Sequence, residues 1–128
     1  MKSVGNIIGA IGFIIVLIIS IYISNNDSDL RYKAKCKRYN DFLSIELKSS
    51  VQYKFLNPNH HMRPTIKTKD KKIDFYHDIS GFYEFVLLKD SIVKEKGQSE
   101  IKIYREGEYI RTFNIDFGCN EKFDLQTI

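Results

Sequence analysis

The chain of 128 residues has no tryptophan, two prolines, two cysteines and no segment rich in glycine, serine or proline. Pro58 and Pro64 fall in one short stretch, so no Pro-rich linker divides the chain. There is no low-complexity tract and no internal repeat, which leaves one folded unit as the economical reading. The two cysteines lack C-x-x-C spacing, which argues against thiol exchange chemistry. Hydrolase signatures are missing too, with no G-x-S-x-G and no H-E-x-x-H. The expectation is a protein that is not an enzyme and holds no cofactor. Basic side chains are scarce at the start, where Lys2 is the only one before Arg31.

What is present begins with an uncharged apolar run over residues 5–23, interrupted only by Asn6, Ser20 and Tyr22. At about 1.5 Å rise per residue it reaches just under ~30 Å, the hydrocarbon thickness of a bilayer, so it reads as one transmembrane helix. It exceeds the apolar core of a cleaved leader. Tyr22 before Ser24 and Ile18 before Ser20 are too large for the −3 pocket of a cleavage site. No cysteine follows closely enough for a lipoprotein anchor. The expected layout is a flank at 1–4, a signal anchor at 5–23, a polar and basic tether at 24–40, a small β domain at 41–119 and a tail at 120–128.

Orientation rests on competing signals. Arg31, Lys33, Lys35, Lys37 and Arg38 follow the helix, and a simple count of basic residues would keep them in the cytoplasm. Against that count, Asn25, Asn26, Asp27, Ser28 and Asp29 come first, the short MK start has the form of a signal anchor, and the cysteines favour export. The carboxyl domain is therefore expected outside the cytoplasm, in the periplasm. The same five basic residues are candidate contacts for anionic lipid headgroups. A cytoplasm-facing module held to lipid by them is the alternative.

Periodicity in the domain is two, the signature of half-buried strands. Residues 43–55 put Leu43, Ile45, Leu47, Ser49, Val51, Tyr53 and Phe55 on one side, as one long strand or a strand bent at Ser49 and Ser50. A loop is expected at 57–64, strands at 65–68 and 72–76 around the tip Lys69-Asp70-Lys71, and either a short helix at 80–88 capped by Ser80 or, as the competing reading, a strand there. A terminal hairpin at 100–105 and 108–117 turns at Glu106-Gly107. In its second strand Tyr109, Arg111, Phe113, Ile115 and Phe117 share the side expected to face inward, with Arg111 at a margin where its stem packs and its head reaches water. The aromatic residues Phe42, Tyr53, Phe55, Phe75, Tyr76, Phe82, Tyr83, Phe85, Tyr104, Tyr109, Phe113 and Phe117 are read as core. The fold class is mainly β: a transmembrane helix, then a small antiparallel barrel or curved sheet with at most one short helix. A two-layer sheet crossed by a helix is the runner-up.

Cys36 and Cys119 bracket the domain, and a disulfide between them would close a loop of about 84 residues, contributing roughly 4 kcal/mol through the unfolded state. His60, His61 and His77, with Met62, are the only candidates for a metal, and they lack the spacing of a structural zinc site, so no metal is expected. A metal-dependent factor or enzyme built on them is a further alternative. Residues 31–72 carry twelve Lys/Arg against three acids, whereas 73–128 carry seven against eleven. Lys67, Lys69, Lys71 and Lys72 at the hairpin tip, with the loop from His60 to Arg63, form a candidate partner surface. The partners expected are the lipid bilayer and an envelope protein or anionic polymer. Nucleic acid is not expected, because the aromatics alternate into the core.

Residues 65–118, and especially 82–103, resemble small anchored or exported β-domain proteins of unknown function from Gram-negative bacteria. In those proteins an aromatic stretch leads into a Gly-Asp-Ser turn and a Lys-x-Lys-Gly/Asn segment. This chain has Lys89 in place of that glycine and keeps Asp90, Ser91, Lys94, Lys96 and Gly97. The resemblance implies an anchored, exported placement and no activity. Together these readings give an anchored envelope protein whose β domain acts as a binding or assembly module.

Overall fold

The computed structural model describes residues 2–119. The chain divides into two compact units, with the boundary between Ala34 and Lys35. Helix α1 spans Lys2–Leu43, so the stretch expected as a tether is helical. Acid-before-base pairs four residues apart favour that conformation: Asp27–Arg31 at 2.7 Å and Asp29–Lys33 at 3.7 Å. The Ser20 and Ser28 hydroxyls donate to the carbonyls of Val16 and Ser24, so each stays satisfied within the helix. In the first unit the Ile, Leu, Val and Phe side chains between Val4 and Ile23 are exposed on every side. α1 is long and apolar enough to cross a membrane.

The second unit contains strands β1 (Leu47–Ser50), β2 (Tyr53–Asn57), β3 (Arg63–Lys67), β4 (Lys72–Asp74), β5 (Ser91–Lys94), β6 (Glu100–Arg105) and β7 (Glu108–Asn114), with a one-turn helix α2 at Phe82–Phe85. They do not close into a barrel. Two antiparallel sheets form instead, one in the order β1-β5-β6-β7 and one in the order β2-β3-β4. Phe42 from α1, Leu47, Ile66, Ile73, Phe75, Phe82, Ile92, Ile101, Ile103 and Phe113 belong to one buried cluster. The run 43–55 is not one strand. It leaves the first sheet at Val51, whose N–H donates to the Asp90 carbonyl, and joins the second at Gln52, whose N–H donates to the Lys67 carbonyl.

Local chemistry explains the ends of these elements. Glu106 and Gly107 both have positive φ, 52° and 82°, the conformation of a tight turn joining two twisted strands. Ser80 does not begin a helix of its own; its hydroxyl accepts the Phe82 N–H, while Gly81 is the residue preceding α2. The carbonyls at the end of α1 are met by the ammonium of the buried Lys94, which donates to Leu43 O at 3.0 Å and Ile45 O at 2.7 Å. Burial and nearby Lys71 hold the Lys94 ammonium below its usual pKa. Cys36 and Cys119 are joined by a disulfide, their Cα atoms 5.5 Å apart.

Lys89 sits at φ 72°, left-handed backbone that costs an L-residue roughly 1–2 kcal/mol. Its N–H donates to the Val51 carbonyl and its side chain is exposed, so the backbone rather than the side chain serves the fold. Lys89→Gly is expected to raise stability by about 0.5–1 kcal/mol after the added unfolded-state entropy is counted. Denaturant titration of both proteins in the same detergent checks it, and a destabilised glycine variant would contradict the strain reading.

Candidate anion-binding site

The three-stranded sheet turns Ile66 and Ile73 into the core, so the residues beside them in each strand face away. Register places Tyr53 opposite Lys67 and Lys67 opposite Lys72; Phe55 opposite Thr65 and Thr65 opposite Asp74; and Asn57 opposite Arg63. The outer face is therefore built of cations and aromatics. Lys67 Nζ lies 5.7 Å from the Tyr53 ring centre, Lys72 Nζ 5.4 Å from Phe55, and the Arg63 guanidinium carbon 5.3 Å from Tyr76. Tyr53 and Tyr76 are more than half exposed, which corrects their assignment to the core. The period-two pattern misleads here because the chain changes sheets between Val51 and Tyr53. The odd side that faces inward in β1 faces outward in β2.

Within this face Arg38, Asn57, His60, Arg63, Thr65, Lys72 and Asp74 line a cleft of about 310 Å³. Asn57 and Thr65 form its buried polar floor, each satisfied locally: Asn57 Oδ1 accepts the Asn59 N–H and Thr65 Oγ1 donates to the Arg63 carbonyl. Arg38 comes from α1, Arg63 from β3 and Lys72 from β4, so three elements bring three cations together. Asp74 is the carboxylate in that lining, and both its oxygens are engaged: Oδ2 accepts from Arg63 at 3.3 Å and Oδ1 from the Tyr76 N–H at 2.7 Å. A smaller pocket of about 170 Å³ adjoins it, sharing Arg38, Lys72 and Asp74 and adding Asp41, Phe42, Ile45, Ile73, His77 and Phe117.

His77 Nε2 lies 3.4 Å from Arg38 Nη1. A guanidinium only donates, so Nε2 accepts and the neutral ring carries its proton on Nδ1. Burial pushes the His77 pKa below 6.5, and the cations Arg38, Lys35 and Arg63 add to that while Asp74 opposes it. Because the folded value lies below the unfolded one, His77 costs stability as the pH falls below the ordinary histidine range.

The structure distributes the expected site residues unevenly. Arg31 and Lys33 of the proposed lipid cluster are paired with Asp27 and Asp29, Lys37 is exposed, and Lys35 and Arg38 belong to the second unit beside His77. Of the hairpin lysines, Lys67 and Lys72 share the outer face, Lys69 is at the tip and Lys71 donates to the Glu46 carbonyl at 3.0 Å. His60 and His77 enter the two adjoining cavities and His61 lines neither. Among the described residues no group of three or more His, Cys, Asp or Glu is placed to hold a metal. Sequence reasoning missed Asp74, Asn57 and Thr65, and it separated Arg38, assigned to the lipid cluster, from Arg63 and Lys72, assigned to the partner surface. The alternation of Lys72 with Asp74 was the signal that could have put those two on one face.

Compared with protein families, with curated proteins and with solved structures, the chain matches none.

Proposed function

We propose that this protein is a single-pass membrane-anchored binding module, not an enzyme, whose β unit takes an anionic partner on the outer face of β2-β3-β4. The observation that carries this reading is the set of cations paired there with the exposed Tyr53 and Tyr76 and the half-buried Phe55, with Asp74 already committed to Arg63 and to a backbone N–H. Such a surface attracts negative charge at long range and offers flat rings for close contact. Anchoring is supported by an apolar helix whose Ile and Leu side chains are exposed among the described residues. A disulfide between Cys36 and Cys119 favours an oxidising compartment and hence an extracytoplasmic unit facing an anionic envelope polymer.

Two measurements test the reading. The chain is expected to stay with membranes through carbonate and high-salt washes, and a carboxyl-terminal alkaline phosphatase fusion is expected to be active. Release by salt, or an inactive fusion with an active cytoplasmic reporter in its place, would contradict the anchor or the side. In maltoside micelles the full chain is expected to be retained on immobilised polyphosphate and released by moderate salt. Tighter retention on single-stranded oligonucleotide would reassign the face to nucleic acid, since the exposed Tyr53 and Tyr76 remove the argument that the aromatics are all core.

A further inference from the structure

We propose that the cleft walled by Arg38, Arg63 and Lys72 holds the head of a phosphate monoester whose apolar substituent lies in the adjoining pocket of Phe42, Ile45, Ile73 and Phe117. This deepens the anionic-partner reading and rests on it. Three cations against one engaged carboxylate suit a dianion better than a single carboxylate, and two guanidinium groups offer paired N–H donors that match the oxygens of a tetrahedral anion. Asp41 is the second carboxylate of the pair of cavities and lines the apolar pocket only. Its charge repels the head from that end, which orients the ligand with its phosphate over Thr65 and its carbon chain toward Phe117. The apolar pocket is bounded by Phe42, Ile73 and Phe117, all nearly fully buried, so a short hydrocarbon entering it leaves water for a dry wall.

His77 supplies a reporter. It is faced by Arg38 and Lys35 from the end of α1, by Arg63 from β3 and by Asp74 from β4, with the Tyr76 and Phe117 rings 4.9 and 6.2 Å away. An anion seated on Arg38 and Arg63 offsets the charges that depress His77, so its titration midpoint is expected to move up toward 6.5.

The test uses the full chain in maltoside micelles, which carry no phosphate. Imidazole NMR, assigned by the signal missing from His77→Gln, is followed against pH with hexyl phosphate, inorganic phosphate and short-chain dihexanoyl phosphatidate. Hexyl phosphate is expected to raise the His77 midpoint and to bind about tenfold or more tightly than inorganic phosphate. Arg38→Gln and Lys72→Gln, both exposed residues, are each expected to weaken it by about tenfold with unchanged thermal midpoints. Tighter binding of dihexanoyl phosphatidate assigns the head to a lipid, and tighter binding of hexyl phosphate assigns it to a soluble ester; both support the site. No saturable shift of His77, equal affinity for inorganic phosphate, or unchanged affinity in Lys72→Gln overturns it. Polyphosphate retention without monoester binding ends this inference and leaves the binding face standing, whereas loss of both ends both.

Discussion

Phe113→Ala is expected to lower the stability of the β unit by about 3–5 kcal/mol, while Asn114→Ala beside it costs well under about 1 kcal/mol. Phe113 is 5% exposed, and its ring lies 5.8 Å from Phe82 and 5.2 Å from Phe85, so truncation opens a cavity where three aromatics meet. Asn114 is exposed and its carboxamide oxygen accepts from the Ser99 hydroxyl. A small domain has a total stability of about 5–15 kcal/mol, so the first variant approaches unfolding. Near-ultraviolet dichroism of the tyrosines, followed against denaturant in micelles, reads both variants. Equal sensitivity at the two positions would contradict a one-faced β7.

Asp90→Ala is expected to cost about 3 kcal/mol, the low end for breaking a buried ion pair, because its partner is only partly buried. The Asp90 side chain is 2% exposed; Oδ1 accepts Arg105 Nε and Oδ2 accepts Arg105 Nη2, each at 2.8 Å, and Oδ2 also accepts the Leu87 N–H at 2.9 Å. The hydrogen bond from Arg105 is the main reason its pKa lies below 3.8, burial opposing it. A depressed carboxylate contributes stability above its unfolded pKa, and that contribution is lost as the pH falls through the folded value. The wild type is therefore expected to lose stability in that acid range by more than Asp90→Asn does. Parallel acid profiles for the two would show that the pair contributes nothing.

These two positions also mark how far the sequence could be read. The terminal hairpin was legible because its signals are local: Glu106-Gly107 makes the turn, and alternation puts Ile101, Ile103 and Phe113 on one face. The inward assignment holds for Phe113, Ile115 and Phe117 but not for Tyr109, which is 56% exposed, because the register slips between Ile103 and Tyr104 and Ile110 is left without a partner. Sheet order was not legible. Leu47 pairs with Lys94 although all three strands of the second sheet lie between them in sequence, and no local rule indicates that β1 borders β5. The expected tail at 120–128 lies outside the described residues.

The residues of the resembled turn turn out to be structural in this chain. Asp90 fixes Arg105, Lys94 meets the end of α1, and Gly97, at φ 82°, donates its N–H to the Leu43 carbonyl. The candidate site was illegible for a different reason. Its cations come from positions 38, 63 and 72, and only a sheet whose outer face is turned toward the end of α1 collects them. Composition showed the excess of positive charge over 31–72 but not which of its members converge.

The most direct measurement of the central claim compares two charge-matched triple variants of the full chain for retention on polyphosphate against salt. One removes the face, Arg63→Gln with Lys67→Gln and Lys72→Gln; the other removes equal charge from exposed positions elsewhere, Lys48→Gln with Lys96→Gln and Lys102→Gln. If the outer face of β2-β3-β4 is the binding surface, the first variant elutes at much lower salt than the second, which stays close to the wild type. Equal loss in the two would mean that retention follows net charge alone and that the face has no special role.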